Sequence, residues 1–153
     1  MVQGVAKFRR KFREAPKIIH ERLARGLERI GDEVVAEIDL LNPLPETIKI
    51  GWTWGDAPRG SVTLGSVGKQ GYETLKITIF ATAATSEYPA GFPAVAAWFE
   101  FGTNLRVQKT TGREVGRITA QPYFWPTIRA NKKSIRSRLQ GILRRAIKKA
   151  NQL

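Results

Sequence analysis

The sequence predicts an α+β fold: a small antiparallel sheet packed by a long N-terminal helix and a basic C-terminal helix. Three observations predict it. An apolar stripe of helical period runs through residues 19–41. A glycine-punctuated, β-like region fills the middle. A second helical stripe, wrapped in Lys and Arg, closes the chain. No internal repeat or composition break divides the 153 residues, so 1–153 reads as a single domain of ordinary size.

The first helix rests on Ile19, Leu23, Leu27, Ile30, Val34, Ile38 and Leu41, spaced by three and four. Pro16 suits its first position, and Asn42-Pro43 ends it. Ahead of it, Phe8 and Phe12 stand among Lys7, Arg9, Arg10, Lys11 and Arg13. Residues 1–15 therefore read as a short extra helix or a flexible basic arm. The helix charges run against its dipole. Lys17, Arg22, Arg25 and Arg29 crowd the first half, and Asp32, Glu33, Glu37 and Asp39 the second. The expectation is that the acidic half meets a basic surface, namely the C-terminal helix of a neighbouring subunit.

In the middle, Gly51, Gly55, Gly60, Gly65, Gly68 and Gly71 separate short stretches. Ser61–Leu64 and Leu75–Phe80 alternate and are β-branched, as strands are. Leu75, Ile77 and Ile79 share one face, and Asp56–Gly60 is a turn. Val95–Phe101 runs apolar into Gly102-Thr103. Read as a strand, it sends Glu100 to the face opposite Phe99 and Phe101, as an exposed or interface residue. Residues 104–117 are polar and read as an exposed loop or a β-hairpin.

Pro126 opens the last helix. Ile128, Ile135, Leu139, Ile142, Leu143 and Ala146 line one side. Arg129, Lys132, Lys133, Arg136, Arg138, Arg144, Arg145, Lys148 and Lys149 cover the rest. Phe124 and Trp125, between Pro122 and Pro126, read as a core anchor in preference to a base-stacking platform.

The net charge of +13 is uneven: residues 115–153 hold ten Lys/Arg and no Asp/Glu. Such a block seeks a polyanion, whether nucleic acid, an acidic protein surface or anionic lipid. Cysteine is absent, which excludes disulfides and thiolate chemistry and fits assembly in a reducing cytoplasm. The basic N-terminus has no apolar stretch behind it, so neither a signal peptide nor a membrane span is expected. His20 is the one histidine and reads as a surface residue. Gly65–Lys69 lacks the spacing of a phosphate loop. No acid–base pair or ligand cluster stands out, so no enzyme activity, metal or cofactor is expected.

Two segments now matter together: Ala97-Trp98-Phe99-Glu100-Phe101-Gly102-Thr103 and Ala120-Gln121-Pro122-Tyr123-Phe124-Trp125-Pro126, the second followed by the basic helix. The pair resembles the neck or tail-completion proteins of long-tailed phages and related particles. That family carries an aromatic–Glu–aromatic–Gly-Thr segment, a variable loop, and a proline-flanked aromatic segment before its last helix. The chain departs from the family in having Asn42-Pro43-Leu44-Pro45 after the first helix and Tyr-Phe-Trp in the second motif. The resemblance implies a virion protein of the head–tail junction, assembled in the bacterial cytoplasm. It implies a homo-oligomeric ring, hexameric in the family, touching head connector or stopper proteins and the tail tube protein, with DNA in its channel.

On that reading Trp98, Phe99 and Phe101 hold a strand in the core or at the subunit seam, with Glu100 projecting beside them. Gly102 and Thr103 form the turn, Gly102 supplying a backbone that a side chain would block. Pro122, Phe124 and Pro126 fix the last helix. Arg129, Lys132, Lys133, Arg136, Arg144, Arg145, Lys148 and Lys149 form an electrostatic surface for DNA or a partner ring. The alternative is a sequence-independent nucleic-acid-binding protein.

Overall fold

The computed structural model describes residues 3–68, 75–83 and 93–152; Lys69 and Gly71 lie outside them. The element order is α1 (Gln3–Leu40), β1 (Ile48–Trp54), β2 (Val62–Gly68), β3 (Lys76–Ala83), α2 (Pro93–Phe101), β4 (Arg106–Val107), β5 (Glu114–Gly116) and α3 (Trp125–Ala150). The α+β expectation holds. The short antiparallel β4–β5 pair makes 104–117 a hairpin, one of the two forms expected.

Helix α1 begins before Pro16, which lies inside it. Residues 3–15 are therefore part of one long helix, neither a separate helix nor an arm. Most of the expected stripe is the core: Leu27, Ile30, Val34 and Ile38 are buried, while Leu41 lies beyond the helix and is exposed. Asn42 ends the helix by side-chain chemistry. Its amide donates to the Ile48 carbonyl at 2.8 Å and its Oδ1 accepts from the Leu44 N–H at 3.1 Å.

Strand β3 is central, in the order β1-β3-β2, and both its neighbours run antiparallel to it. Ile77, Ile79, Ala81 and Ala83 of β3 sit opposite Trp54, Trp52, Ile50 and Ile48 of β1. This face meets the helices; its core contains Ile48, Ile79, Ala81 and Ala83 together with Ile30, Val34 and Ile38. Strand β1 adds to the two expected strands; its Ile48, Ile50, Trp52 and Trp54 alternate with Lys49, Gly51 and Thr53.

The connection from β1 to β2 crosses the other face of β3. It begins beside Ile77 and ends beside Ala81. The Thr78 hydroxyl donates to the Gly55 carbonyl, and the Thr82 hydroxyl to that of Gly60 at 3.2 Å. Lys76 pairs with Asp56 at 2.9 Å. The expected turn over Asp56–Gly60 is thus a cover, and it leaves Thr78 1% exposed.

Helices α1 and α3 are antiparallel. Glu37 accepts from Asn131, Glu33 pairs with Arg138, Gly26 lies against Ile142, and Lys11 donates to the Asn151 carbonyl at 2.7 Å. The acidic half of α1 therefore meets the basic C-terminal helix of its own chain. That replaces the neighbouring subunit expected from the charge pattern. The Arg138 guanidinium, by its hydrogen bond and then its charge, holds the Glu33 carboxyl below its usual pKa.

Two helical glycines predict opposite responses to alanine. A Cβ at Gly31 would lie 2.9 Å from the body of the Trp52 ring, whose indole N–H donates to Asp32 at 2.8 Å. A Cβ at Gly141 would meet nothing. Gly141→Ala should raise stability by about 0.5–1 kcal/mol through helix propensity. Gly31→Ala should lower it, because overpacking costs about 1–3 kcal/mol and outweighs the same propensity gain. Urea unfolding of the two variants distinguishes the signs.

Candidate functional site

Ala94, Ala96 and Ala97 favour helix, and Val95–Phe101 is helical where a strand was expected. The helical period puts Ala96 and Glu100, four apart, on one buried face and turns Phe101 outward. Glu100 is 3% exposed and Phe101 65% exposed. The expectation of an exposed Glu100 is overturned, and Phe101 is not a core residue. Trp98 and Phe99 are half-buried.

Helix α2 ends at Gly102, which has φ +75° and donates its N–H to the Trp98 carbonyl at 2.8 Å. A Cβ there would come within 3.0 Å of the Ala120 nitrogen and 3.1 Å of the Ile118 oxygen. The backbone constraint expected at Gly102 is therefore real on two counts, conformation and crowding.

The chain then leaves and returns. Thr103 N–H donates to the Ile118 carbonyl, and Ile118 N–H donates to the Thr103 hydroxyl, both at 2.9 Å. Gln121 N–H donates to the Phe99 carbonyl at 2.8 Å. These bonds close the base of the β4–β5 hairpin. Arg106, at the start of β4, places its guanidinium 5.1 Å from the centroid of the Trp98 ring, a cation–π contact.

Glu100 joins the two motifs. Its Oε2 accepts from the Tyr123 and Phe124 N–H groups and its Oε1 from that of Trp125, each at 2.9 Å. These are the backbone donors at the start of α3, whose own N-cap residue, Phe124, supplies no side-chain cap. A carboxylate from another helix thus satisfies orphan donors and sits at the positive end of the α3 dipole. Pro126 lies in the first turn as expected, where its missing N–H costs nothing.

Around this carboxylate the side chains are core. Tyr123 and Phe124 are fully buried, which bears out the anchor reading for Phe124. The Tyr123 hydroxyl donates to the Ala96 carbonyl at 3.3 Å, and Thr127 donates to the Tyr123 carbonyl at 2.9 Å. Burial first, and the Glu100 charge second, push the Tyr123 phenol up to about 12. Pro122 is exposed. The roles of Tyr123 and Glu100 were not legible in sequence, since the spacing of 23 residues between them carries no periodic signal.

The eight basic residues singled out on α3 are all exposed, but they do not form one surface. Arg129, Lys132 and Arg136 border an apolar groove of about 690 Å³ with Leu23, Leu27, Ile128, Leu139 and Leu143. Arg144, Arg145 and Lys149 border a different groove, shared with Arg22, Arg25 and Arg29 of α1. Among the described residues no three His, Asp or Glu side chains gather as metal ligands would. No helix among them is long and apolar enough to cross a membrane. No family model, curated protein or solved structure matches the chain.

Replacing Glu100 tests the cap. Glu100→Ala leaves three backbone donors without their acceptor and should cost about 3–5 kcal/mol, read by chemical denaturation. Glu100→Gln keeps the shape and one acceptor and should fall between Ala and the parent. Alkali tests Tyr123. Its folded pKa is raised, so its stabilisation is present below about 10 and is lost as pH rises from about 10 towards 12. Tyr123→Phe should show a shallower decline in unfolding free energy over that window.

Proposed function

We propose that this chain is a structural protein of a tailed phage or related particle. It completes the upper end of the tail and joins it to the head connector as a ring through which DNA passes. The observation that carries this reading is the coupling of the two family-like motifs by Glu100. In the sequence they are separate signals. In the fold they are one unit, in which the Glu of the first caps the helix that the second opens. Their co-occurrence, in order and with a hairpin between them, therefore has a physical cause.

The same unit supports the oligomeric part of the reading. It displays Phe101, Leu105, Val107 and Val115, each at least half exposed, on the end of α2 and along the hairpin. Apolar side chains on a projecting arm suit a contact with a second copy, a heterologous contact that closes into a ring. Six is the number implied by the resemblance. The partners are further copies of the chain, the connector or stopper proteins above and the tail tube protein below. The site of action is the head–tail junction of the virion. Sequence-independent nucleic-acid binding is the second reading, favoured by the density of exposed arginines on α1 and α3.

Native mass of the purified protein, alone and with tail tubes, tests the first reading. The expected result is a discrete multi-subunit species, either free or appearing when tubes are added. A chain that stays monomeric with tubes and is absent from the head–tail junction in particle images overturns it. Phe101→Ser combined with Val107→Ser should weaken assembly by about tenfold or more, since each buried apolar side chain contributes roughly 1.5–3 kcal/mol. The monomer should melt as the parent does, because both positions are solvent-facing within it.

A further inference from the structure

We infer that the groove between the N-terminal half of α1 and the C-terminal half of α3 binds the phosphate backbone of nucleic acid, independently of sequence. The inference rests on the groove's own geometry and not on a place in a phage particle.

Antiparallel packing produces this groove. It sets the acidic half of α1 against the first half of α3, where Glu33 and Glu37 find Arg138 and Asn131. The same arrangement forces the basic half of α1 onto the basic end of α3. Arg22, Arg25 and Arg29 form one wall, and Arg144, Arg145 and Lys149 the other. All six are exposed, and none forms an ion pair with a described residue. Glu21 is the one acid on the lining. The groove is open and has a volume of about 1020 Å³, and its floor holds Ile18, Gly26 and Ile142.

Two like-charged walls facing each other repel, and an anion between them removes the repulsion. The shape selects the kind of anion. At 1.5 Å per residue, the α1 row from Arg22 to Arg29 extends about 10 Å. The α3 wall from Arg144 to Lys149 extends about 8 Å. Cations carried along two neighbouring helices suit an extended line of charge, such as DNA with one phosphate per about 3.4 Å of each strand. Five of the six cations are arginines, whose planar forks grip phosphate oxygens two at a time. The floor offers no side-chain donor or acceptor for reading base edges, so recognition stops at the backbone. An acidic protein patch presents carboxylates at irregular intervals on a convex surface and fits such a groove less well.

The test uses the whole chain and a labelled DNA duplex of about 20 base pairs, with binding followed by fluorescence anisotropy across a salt series. Three variants are compared. The first is Arg22→Gln, Arg25→Gln and Arg29→Gln together. The second carries Lys at the same three positions. The third is Arg129→Gln, Lys132→Gln and Arg136→Gln, which removes equal charge from the other groove. The first should bind about tenfold or more weakly, with a salt slope shallower by about 2–3, one unit for each phosphate no longer neutralised. The Lys variant should recover most of the binding, and the third should weaken it less than about threefold. The first variant should melt no lower than the parent, because it removes repulsion.

Equal losses of affinity in the first and third variants would reduce the effect to diffuse charge and overturn the site. Absence of DNA binding by the parent, or displacement of DNA by polyglutamate at lower charge concentration than by unlabelled DNA, would also overturn it. None of these outcomes depends on ring formation.

Discussion

A single buried carboxylate organises one end of this protein. Glu100 leaves α2 and meets three consecutive backbone N–H groups at the start of α3. Helix starts are ordinarily capped by a neighbouring Ser, Thr, Asp or Asn. Here the local residue is Phe124, which is needed in the core and cannot cap. The capping group is imported from a helix 24 residues earlier. That import fixes where α3 begins relative to α2. It buries Tyr123 and Phe124, and it ties off the segment between the helices as a projecting hairpin. A buried charge without partners would be costly; charge-assisted bonds to a helix start offset that cost.

The second constraint is the charge layout of α1. Along its own axis, the helix has its basic and acidic halves at the wrong ends. Beside α3, the acidic half makes sense. It lies along the first half of α3, where Arg138 and Asn131 reach across. The basic half lies next to the negative end of the α3 dipole, which moderates but does not cancel the cations around it. One helix pair therefore has a satisfied end and a cation-rich end. The asymmetry is built into the antiparallel packing and needs no second subunit.

These two features separate the molecule into a corner and a groove. The corner, built on Glu100, Gly102 and Thr103, displays apolar side chains suited to contact with another copy. The groove, along α1 and α3, displays cations suited to a polyanion. The sheet is keyed to α1 through Trp52, which lies in the space left by Gly31 and donates to Asp32. On its far face the chain's own β1–β2 connector covers Thr78 and bonds Thr82.

The sequence alone determined the elements whose signal is local and periodic. The α1 stripe, the alternation in β3 and the Pro126 start of α3 all follow from spacing and turn residues; over 104–117 the sequence left a loop and a hairpin open, and the fold made it a hairpin. It also identified the two motif segments and placed the excess charge in the last quarter. Tertiary structure decided the rest. Pro16 lies in the interior of a longer helix, where it removes one backbone hydrogen bond without ending the helix. Val95–Phe101 became a helix because a short apolar run carries no period of its own, and its alanines and the pull of the α3 donors on Glu100 settled the choice. The neighbour expected for the acidic half of α1 proved to be the chain's own α3. The cap and the groove both join residues far apart in the chain, and such pairings leave no trace in local spacing. They exist only once two helices have been brought together.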